Sequence, residues 1–366
     1  MRSAVSVLLF VVACGSSSEP RQDTAPAPAP AGRAAPAAPA PAAAPAPVQA
    51  RDDVNPRLLR RFKPLRAAFS DGVEPATAAQ IQLGRMLFFD KRLSHDRDVS
   101  CNTCHPLDQY GVDRKPTSTG AKGQRGHRNS PSVYHAAGAF TNFWDGRAAN
   151  VEEQAKGPIL NPSEMAMGSP GEVIATLATI PGYVAAFRAA FPGSPAISYD
   201  NIGRAIGAFE RRLVTPSRWD RYLAGDHSVL AAQEITGLKL FTDIGCMTCH
   251  TGELVGGSMF QKVGVAKPWP NQQDRGRVEV TKLPSDAMVF KVPSLRNVAK
   301  TPPYFHDGSA ATLEEAVRLM ARHQVGEELS DDDVRAIVAW LSALTGDLPT
   351  DYIAAPTLPA DSSGRS

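Results

Sequence analysis

The chain carries almost no net charge. Its 39 Lys and Arg against 37 Asp and Glu leave a formal +2 over 366 residues. The basic residues are interspersed with acids rather than clustered, so no nucleic-acid partner is expected. Long apolar runs are also lacking. A brief run from Ala4 to Ala13 is too short to span a membrane. Cysteine is scarce, at five residues. Four of the five fall in two copies of one pentapeptide, Cys101-Asn102-Thr103-Cys104-His105 and Cys246-Met247-Thr248-Cys249-His250.

That spacing is the attachment signature of c-type haem. The two thiols lie on one face of a helical turn, where they can add to the two vinyl groups of a haem. The histidine that follows falls on the same face and can reach the iron as proximal ligand. Disulfides, or a zinc site made from both pairs, are the alternatives. Neither explains a His directly after each second Cys. Two covalently bound haem c groups are expected.

The fifth cysteine bears on the compartment. Met1-Arg2 and the apolar run after it fit a secretory signal, and Val11-Val12-Ala13-Cys14 resembles a bacterial lipobox. Residues 1–13 are then a lipoprotein signal peptide. An acylated Cys14 would tether a periplasmic protein to the membrane. The alternative is an ordinary signal peptide with a chance cysteine. Export agrees with haem c, which is attached outside the cytoplasm. Residues 14–55 are rich in Ala and Pro without apolar periodicity, and are expected to form a disordered linker. The remainder is long enough for two domains, placed at 56–225 and 226–350, with a tail at 351–366.

The folded part reads as mainly α, with long loops. Thr77-x-x-Gln80 is a capping box before Ile81, Gly84, Leu87 and Phe88. Ser169-Pro170 opens a helix. Ile202, Ala205, Ile206, Phe209 and Leu213 keep helical spacing. Thr312-x-x-Glu315 caps a helix with Leu313, Ala316, Val317 and Met320 on one face. Ser330 starts a last helix carrying Val334, Ile337, Val338 and Leu341. Gly- and Pro-rich loops at 106–131 and 252–303 are of the kind that wrap a cofactor.

An internal repeat runs through this pattern. Leu83-Gly84-Arg85-Met86-Leu87-Phe88 echoes Gly237-Leu238-Lys239-Leu240-Phe241. Without a gap, the stretch from Asn129 through Phe143-Trp144-Asp145-Gly146 to Gln154 matches that from Lys291 through Phe305-His306-Asp307-Gly308 to Ala316. Two cytochrome c-like haem domains related by internal duplication are the simplest account.

The halves differ in ways that suggest a division of labour. Gln154 stands opposite Ala316, Glu164 opposite Gly326, and Trp144 opposite His306, while Met320 stands opposite Pro158. The first half thus has a polar pair able to act on a ligand at an open iron. The second offers a thioether, and a His/Met axial pair raises the reduction potential. On its own, a Met on an amphipathic helix is more often a core residue.

Taken together, these motifs resemble the bacterial di-haem cytochrome c peroxidases, the family that includes MauG. The resemblance runs from about Leu65 to about Leu344. It rests on both haem motifs, Gly111-Val112-Asp113, Asn129-Ser130-Pro131, Phe143-Trp144-Asp145-Gly146-Arg147, Gln154-Ala155-Lys156-Gly157-Pro158, Glu164-Met165, Lys291-Val292-Pro293-Ser294-Leu295-Arg296-Asn297, Tyr304-Phe305-His306-Asp307-Gly308 and Met320. It implies a peroxidatic first haem with His105 as proximal ligand, and Gln154 and Glu164 acting on peroxide. It implies an electron-entry second haem held by His250 and Met320, with Trp144 between the haems. Asn129, Thr301 and Pro303 match calcium ligands, and largely carbonyl oxygens suit that cation. Hydrogen peroxide as substrate, a small cytochrome c or cupredoxin as electron donor, and a homodimer are also implied.

One position departs from the family pattern. Many of these peroxidases carry a loop histidine that caps the peroxidatic iron at rest. Here Ala121 occupies that place, in Ser118-Thr119-Gly120-Ala121, and the nearest substitute is His127. His323 is the rival to Met320. A MauG-like enzyme oxidising residues of a partner protein, and a non-catalytic di-haem electron carrier, are the competing functions.

Overall fold

The computed structural model describes residues 54–361 apart from 71, 73 and 194. The signal peptide, Cys14 and all but the end of the 14–55 linker lie outside the described residues. The helices are α1 (Pro56–Leu59), α2 (Ala78–Phe89), α3 (Cys101–Cys104), α4 (Val151–Leu160), α5 (Pro170–Ala178), α6 (Pro181–Ala190), α7 (Tyr199–Glu210), α8 (Arg218–Leu223), α9 (Ala232–Asp243), α10 (Val278–Thr281), α11 (Leu313–Met320), α12 (Asp331–Ala343) and α13 (Thr350–Ile353). Two strands, β1 (Phe260–Lys262) and β2 (Val289–Lys291), pair antiparallel. The fold is mainly α, as expected. No single helix among the described residues is long and apolar enough to cross a membrane.

The helix starts follow their caps. Thr77 and Gln80 close a full capping box on α2, and Ser330 and Asp333 close another on α12. Ser169 caps α5, with Pro170 at its first position. Thr312 accepts from the Glu315 amide at the start of α11, but the Glu315 carboxylate reaches past it to the Ala311 amide.

Two close helix crossings each sit beside a core. α2 crosses α7 at Gly84, where an added Cβ would fall 1.8 Å from the Ala205 carbonyl oxygen. α9 crosses α12 at Gly237, where an added Cβ would fall 1.8 Å from the Ala336 carbonyl oxygen. Only glycine permits either approach. Around the first crossing lies a core containing Leu87, Phe88, Ile159, Phe187, Ile206 and Phe209. Around the second lies a core containing Trp219, Leu238, Phe241, Ile337 and Trp340.

The chain ends depart from the simple sequential division. Phe62, near the start, packs into the second core, edge-on to Trp219 at 5.3 Å. Tyr352, in the segment read as a tail, stacks on Phe209 of the first core at 5.1 Å and donates to the Phe209 carbonyl. The two strands are a second departure, since 252–303 reads as loop. Three residues per strand are too few for an alternating pattern to register.

Candidate active site

Both pentapeptides fold as single turns that present their histidines alike. α3 holds Cys101 and Cys104, and the Ser100 amide donates to Thr103 Oγ1 at 2.9 Å to start it. His105 Nδ1 donates to the Gly111 carbonyl at 3.0 Å. In the second motif Cys246–Thr248 form a 3-10 turn, and His250 Nδ1 donates to the Val255 carbonyl at 3.2 Å. A carbonyl can only accept, so each Nδ1 carries the proton and each Nε2 keeps its lone pair. That is the tautomer of a metal-bound histidine with its orienting partner in place. Burial favours the neutral rings, lowering the His105 pKa and pushing that of His250 down to about 4.

His105 and His250 open onto one cavity of about 1270 Å³. That exceeds the roughly 300–1,000 Å³ of an ordinary small-molecule site. A recess of about 90 Å³ beside it is lined by Cys101, Cys104, His105, Gln154 and Glu164. The four cysteines are free thiols. Burial pushes the pKa of Cys104 up to about 11 and that of Cys246 up to about 12. Among the described residues no group of three or more His, Cys, Asp or Glu converges as a zinc site would require. Among the described residues the cavity wall also holds three buried polar atoms without a protein partner, Asn142 Nδ2, Glu210 Oε2 and His306 Nε2. Apolar walls, paired thiols beside a prepared imidazole, and unpartnered polar atoms fit haem, a flat apolar group with carboxylates at its edge.

The polar pair of the first half sits on this wall. Asn150 caps α4 and so sets the helix that carries Gln154. The chain then turns at Asn161, whose carbonyl takes the Glu164 amide at 2.9 Å. Asn161 Nδ2 donates to Glu164 Oε1 at 2.7 Å. Gln154 and Glu164 both line the cavity and the recess, beside His105. Burial raises the Glu164 pKa, opposed by the Arg147 charge and the Asn161 hydrogen bond. Asn161 has no signal in the sequence beyond ordinary turn chemistry.

Met320 ends α11 and lines the same cavity, whereas His323 does not. A π-helical turn, Ala321–Val325, follows Met320. Such turns are rare and cluster at functional sites, but sequence spacing does not reveal them. The turn carries His323 outward, where Nδ1 meets the Pro268 carbonyl at 2.9 Å and the ring packs edge-on to Trp269.

Trp144 ties segments far apart in the chain. Its Nε1 donates to the Asn129 carbonyl at 2.9 Å, its own carbonyl takes the Lys291 amide at 2.8 Å, and its ring is 6.4 Å from that of His306. Asn129, Thr301 and Pro303 all line the cavity. Asn129 is buried and its Nδ2 donates to the Lys115 carbonyl.

Ala121 is fully buried and is not part of the cavity wall. Its amide donates to the Glu164 carbonyl at 2.7 Å. Gly120 lies flat on the same segment, where a Cβ would come within 2.3 Å of the Ser163 carbonyl oxygen. His127 is exposed and lines the cavity edge.

Glu210 is the site residue that the sequence reading misses. It ends α7, is 3 % exposed, and lines both the cavity and the recess. Burial, with the Glu152 charge adding, pushes its pKa up to about 8. The signal was present: Ile202, Ile206 and Glu210 share one helix face at i, i+4 and i+8.

Two haem-attachment turns on one cavity define a di-haem protein of the c type. A family model described as di-haem cytochrome c peroxidase matches residues 78–228. The chain is 47% identical over 309 residues to the cytochrome c551 peroxidase of Pseudomonas aeruginosa, covering 82% of this chain and 88% of that one. It is 46% identical over 291 residues to the cytochrome c551 peroxidase of Nitrosomonas europaea, covering 79% and 85%. Methylamine utilization protein MauG of Methylorubrum extorquens is 32% identical over 299 residues, covering 78% and 84%. Among solved structures, a MauG-like protein associated with microbial copper homeostasis superposes with a TM-score of 0.68 at 29% identity, covering 80% of this chain and 96% of that one. The chain belongs to the di-haem cytochrome c peroxidase family.

Proposed function

We propose that this protein is a cytochrome c peroxidase that reduces hydrogen peroxide to water with electrons from a small cytochrome c or cupredoxin. One molecule of peroxide takes two electrons and two protons and gives two waters. The observation that carries the reading is the asymmetry of the cavity. Gln154 and Glu164 line the small recess together with His105, whereas Met320 and His250 line the large cavity and not that recess.

Bound haem, held by Cys101, Cys104 and His105 and by Cys246, Cys249, His250 and Met320, supplies the iron at which peroxide is activated and the route for electrons. The protein's own groups do the rest. Gln154 orients peroxide through its amide. Glu164 takes the proton from one peroxide oxygen and returns it to the other, the leaving one. Asn161 aims the carboxylate by its hydrogen bond to Oε1. Trp144, hydrogen-bonded at the junction of the halves, lies where electrons pass between the haems. Asn129, Thr301 and Pro303 hold a calcium ion at the same junction.

The wider reading extends to origin and location. The two haem domains, 56–225 and 226–350, arose by duplication. Matched geometry at repeat-equivalent positions supports this. The Gly84 and Gly237 crossings correspond, as do the left-handed residues Phe143 and Phe305. The Asn142–Ala148 and Tyr304–Ala310 bridges correspond as well. The protein is a periplasmic lipoprotein tethered through acylated Cys14, and acts as a homodimer. Oxidation of residues in a partner protein, as in a MauG-like enzyme, is the secondary reading, favoured only by the absence of a histidine at Ala121. Steady-state peroxide consumption with a reduced cytochrome c donor tests the proposal. A protein with both haems attached that transfers electrons but consumes no peroxide would be a carrier instead.

A further inference from the structure

Lys291 closes β2, next to the junction of the two halves. The register pairs Phe260 with Lys291 and Gln261 with Phe290. Alternation along the strand sends neighbouring side chains to opposite faces. Phe290 stacks on His306 at 4.2 Å, so Lys291 lies on the other face, with Phe260. Phe260 in turn meets Gly146 of the first half. The Lys291 amide is held by the Trp144 carbonyl, and the residue lines the cavity.

Among the described residues the Lys291 ammonium has no hydrogen-bond or ion-pair partner. Lys291 is half-buried, and two other cations on this cavity, half-buried Arg128 and buried Arg296, are matched. Arg128 is held by Asp145 and Asp274, and Arg296 by Asp220. Desolvation alone pushes the Lys291 pKa down to about 8. A desolvated charge without a partner is costly, and such groups are kept where an anion meets them. The repeat-equivalent residue, Asn129, is neutral and already hydrogen-bonded to Lys115. The positive charge is therefore a property of one half only.

We infer that Lys291 binds a carboxylate of a bound haem in this cavity, and that its charge raises the reduction potential of that haem. The inference rests on the di-haem reading above. A cation beside the haem edge disfavours the oxidised, more positive iron, and an unpaired haem carboxylate favours it. Removing Lys291 therefore lowers the potential.

The test uses the holoprotein with both haems attached. In Lys291→Met, redox titration followed by absorbance should show the oxidised-to-reduced ratio of one haem rising about tenfold at fixed ambient potential, or about 59 mV for a one-electron couple. The other haem should hold its value, and Lys291→Arg should stay within about twofold of the wild type, since it keeps the charge. Unchanged potentials at both haems in Lys291→Met overturn the inference, as does an equal fall in Lys291→Arg. The crystal structure of the wild-type holoprotein decides independently of any variant. Lys291 Nζ should lie about 3 Å from a haem carboxylate oxygen. A protein carboxylate or water alone in that place refutes the assignment. Absence of covalent haem in the purified wild type would instead defeat the underlying di-haem reading.

Discussion

Replacing Glu164 by Gln is the most direct probe of the chemistry. The substitution keeps the size and removes the proton acceptor. Neither neighbour can take over. Gln154 has no basic atom, and the buried Glu210, its pKa pushed up to about 8, still holds its proton at neutral pH. Loss of a positioned acid–base group costs about 10²–10⁴ in rate, which is about 3–5 kcal/mol of barrier. Glu164→Asp pulls the carboxylate back by one methylene and away from the Asn161 amide. A displacement of about 1 Å can cost on the order of a hundredfold, so this variant should also be strongly impaired. Asn161→Ala should act in a different way. Its hydrogen bond favours the charged carboxylate and holds the pKa down against burial. Without it the pKa rises further, so the acidic limb of the pH–rate profile moves to higher pH. The assay is steady-state peroxide reduction with a reduced cytochrome donor, on protein whose absorbance shows both haems attached. Wild-type turnover in Glu164→Gln would remove Glu164 from the chemistry.

The features legible in the sequence are those set by local spacing. A Cys-x-x-Cys-His turn needs only five residues. The caps at Thr77, Ser169 and Ser330 are read within four. The repeat extends this reach by pairing distant segments, and so the contrast of Gln154 and Glu164 with Met320 emerges from the chain alone. What stays hidden depends on backbone conformation or on long-range burial. The turn after Met320 is π-helical, which no periodicity announces. Lys291 reads as an ordinary charged residue until its surroundings are known. Phe62, placed by sequence order in 56–225, packs in the second core, and Tyr352, read as tail, packs against the first. Each contact joins residues more than a hundred positions apart, and nothing local encodes it.

The remaining predictions address the second haem, the buried acid and the loop at Ala121. Met320→Ala should abolish the weak near-infrared charge-transfer band of a His/Met haem in the oxidised protein. His323→Ala should keep it, and the opposite result would exchange their roles. Glu210 keeps its proton in the folded protein up to about pH 8, whereas an unfolded glutamate loses it near 4.5. The folded state therefore binds more protons in this window, and the contribution of Glu210 to stability is lost as pH rises through it. Glu210→Gln should flatten the fall of the melting temperature between those pH values, and an equally steep fall in both proteins would show that Glu210 ionises freely. The last prediction concerns the resting state of the peroxidatic haem. A ligand that gates an iron must bring a lone pair, and the methyl group of Ala121 has none. Ala121 is also tied down, with its amide on the Glu164 carbonyl and Gly120 flat against Ser163. The fully oxidised protein should then hold one high-spin haem and react with peroxide without prior reduction of the other. His127 is the residue able to defeat this, because it stands exposed at the cavity edge on the same loop. Two low-spin haems in the oxidised wild type, with one becoming high-spin in His127→Ala, would show a gate displaced by six residues along the chain rather than lost.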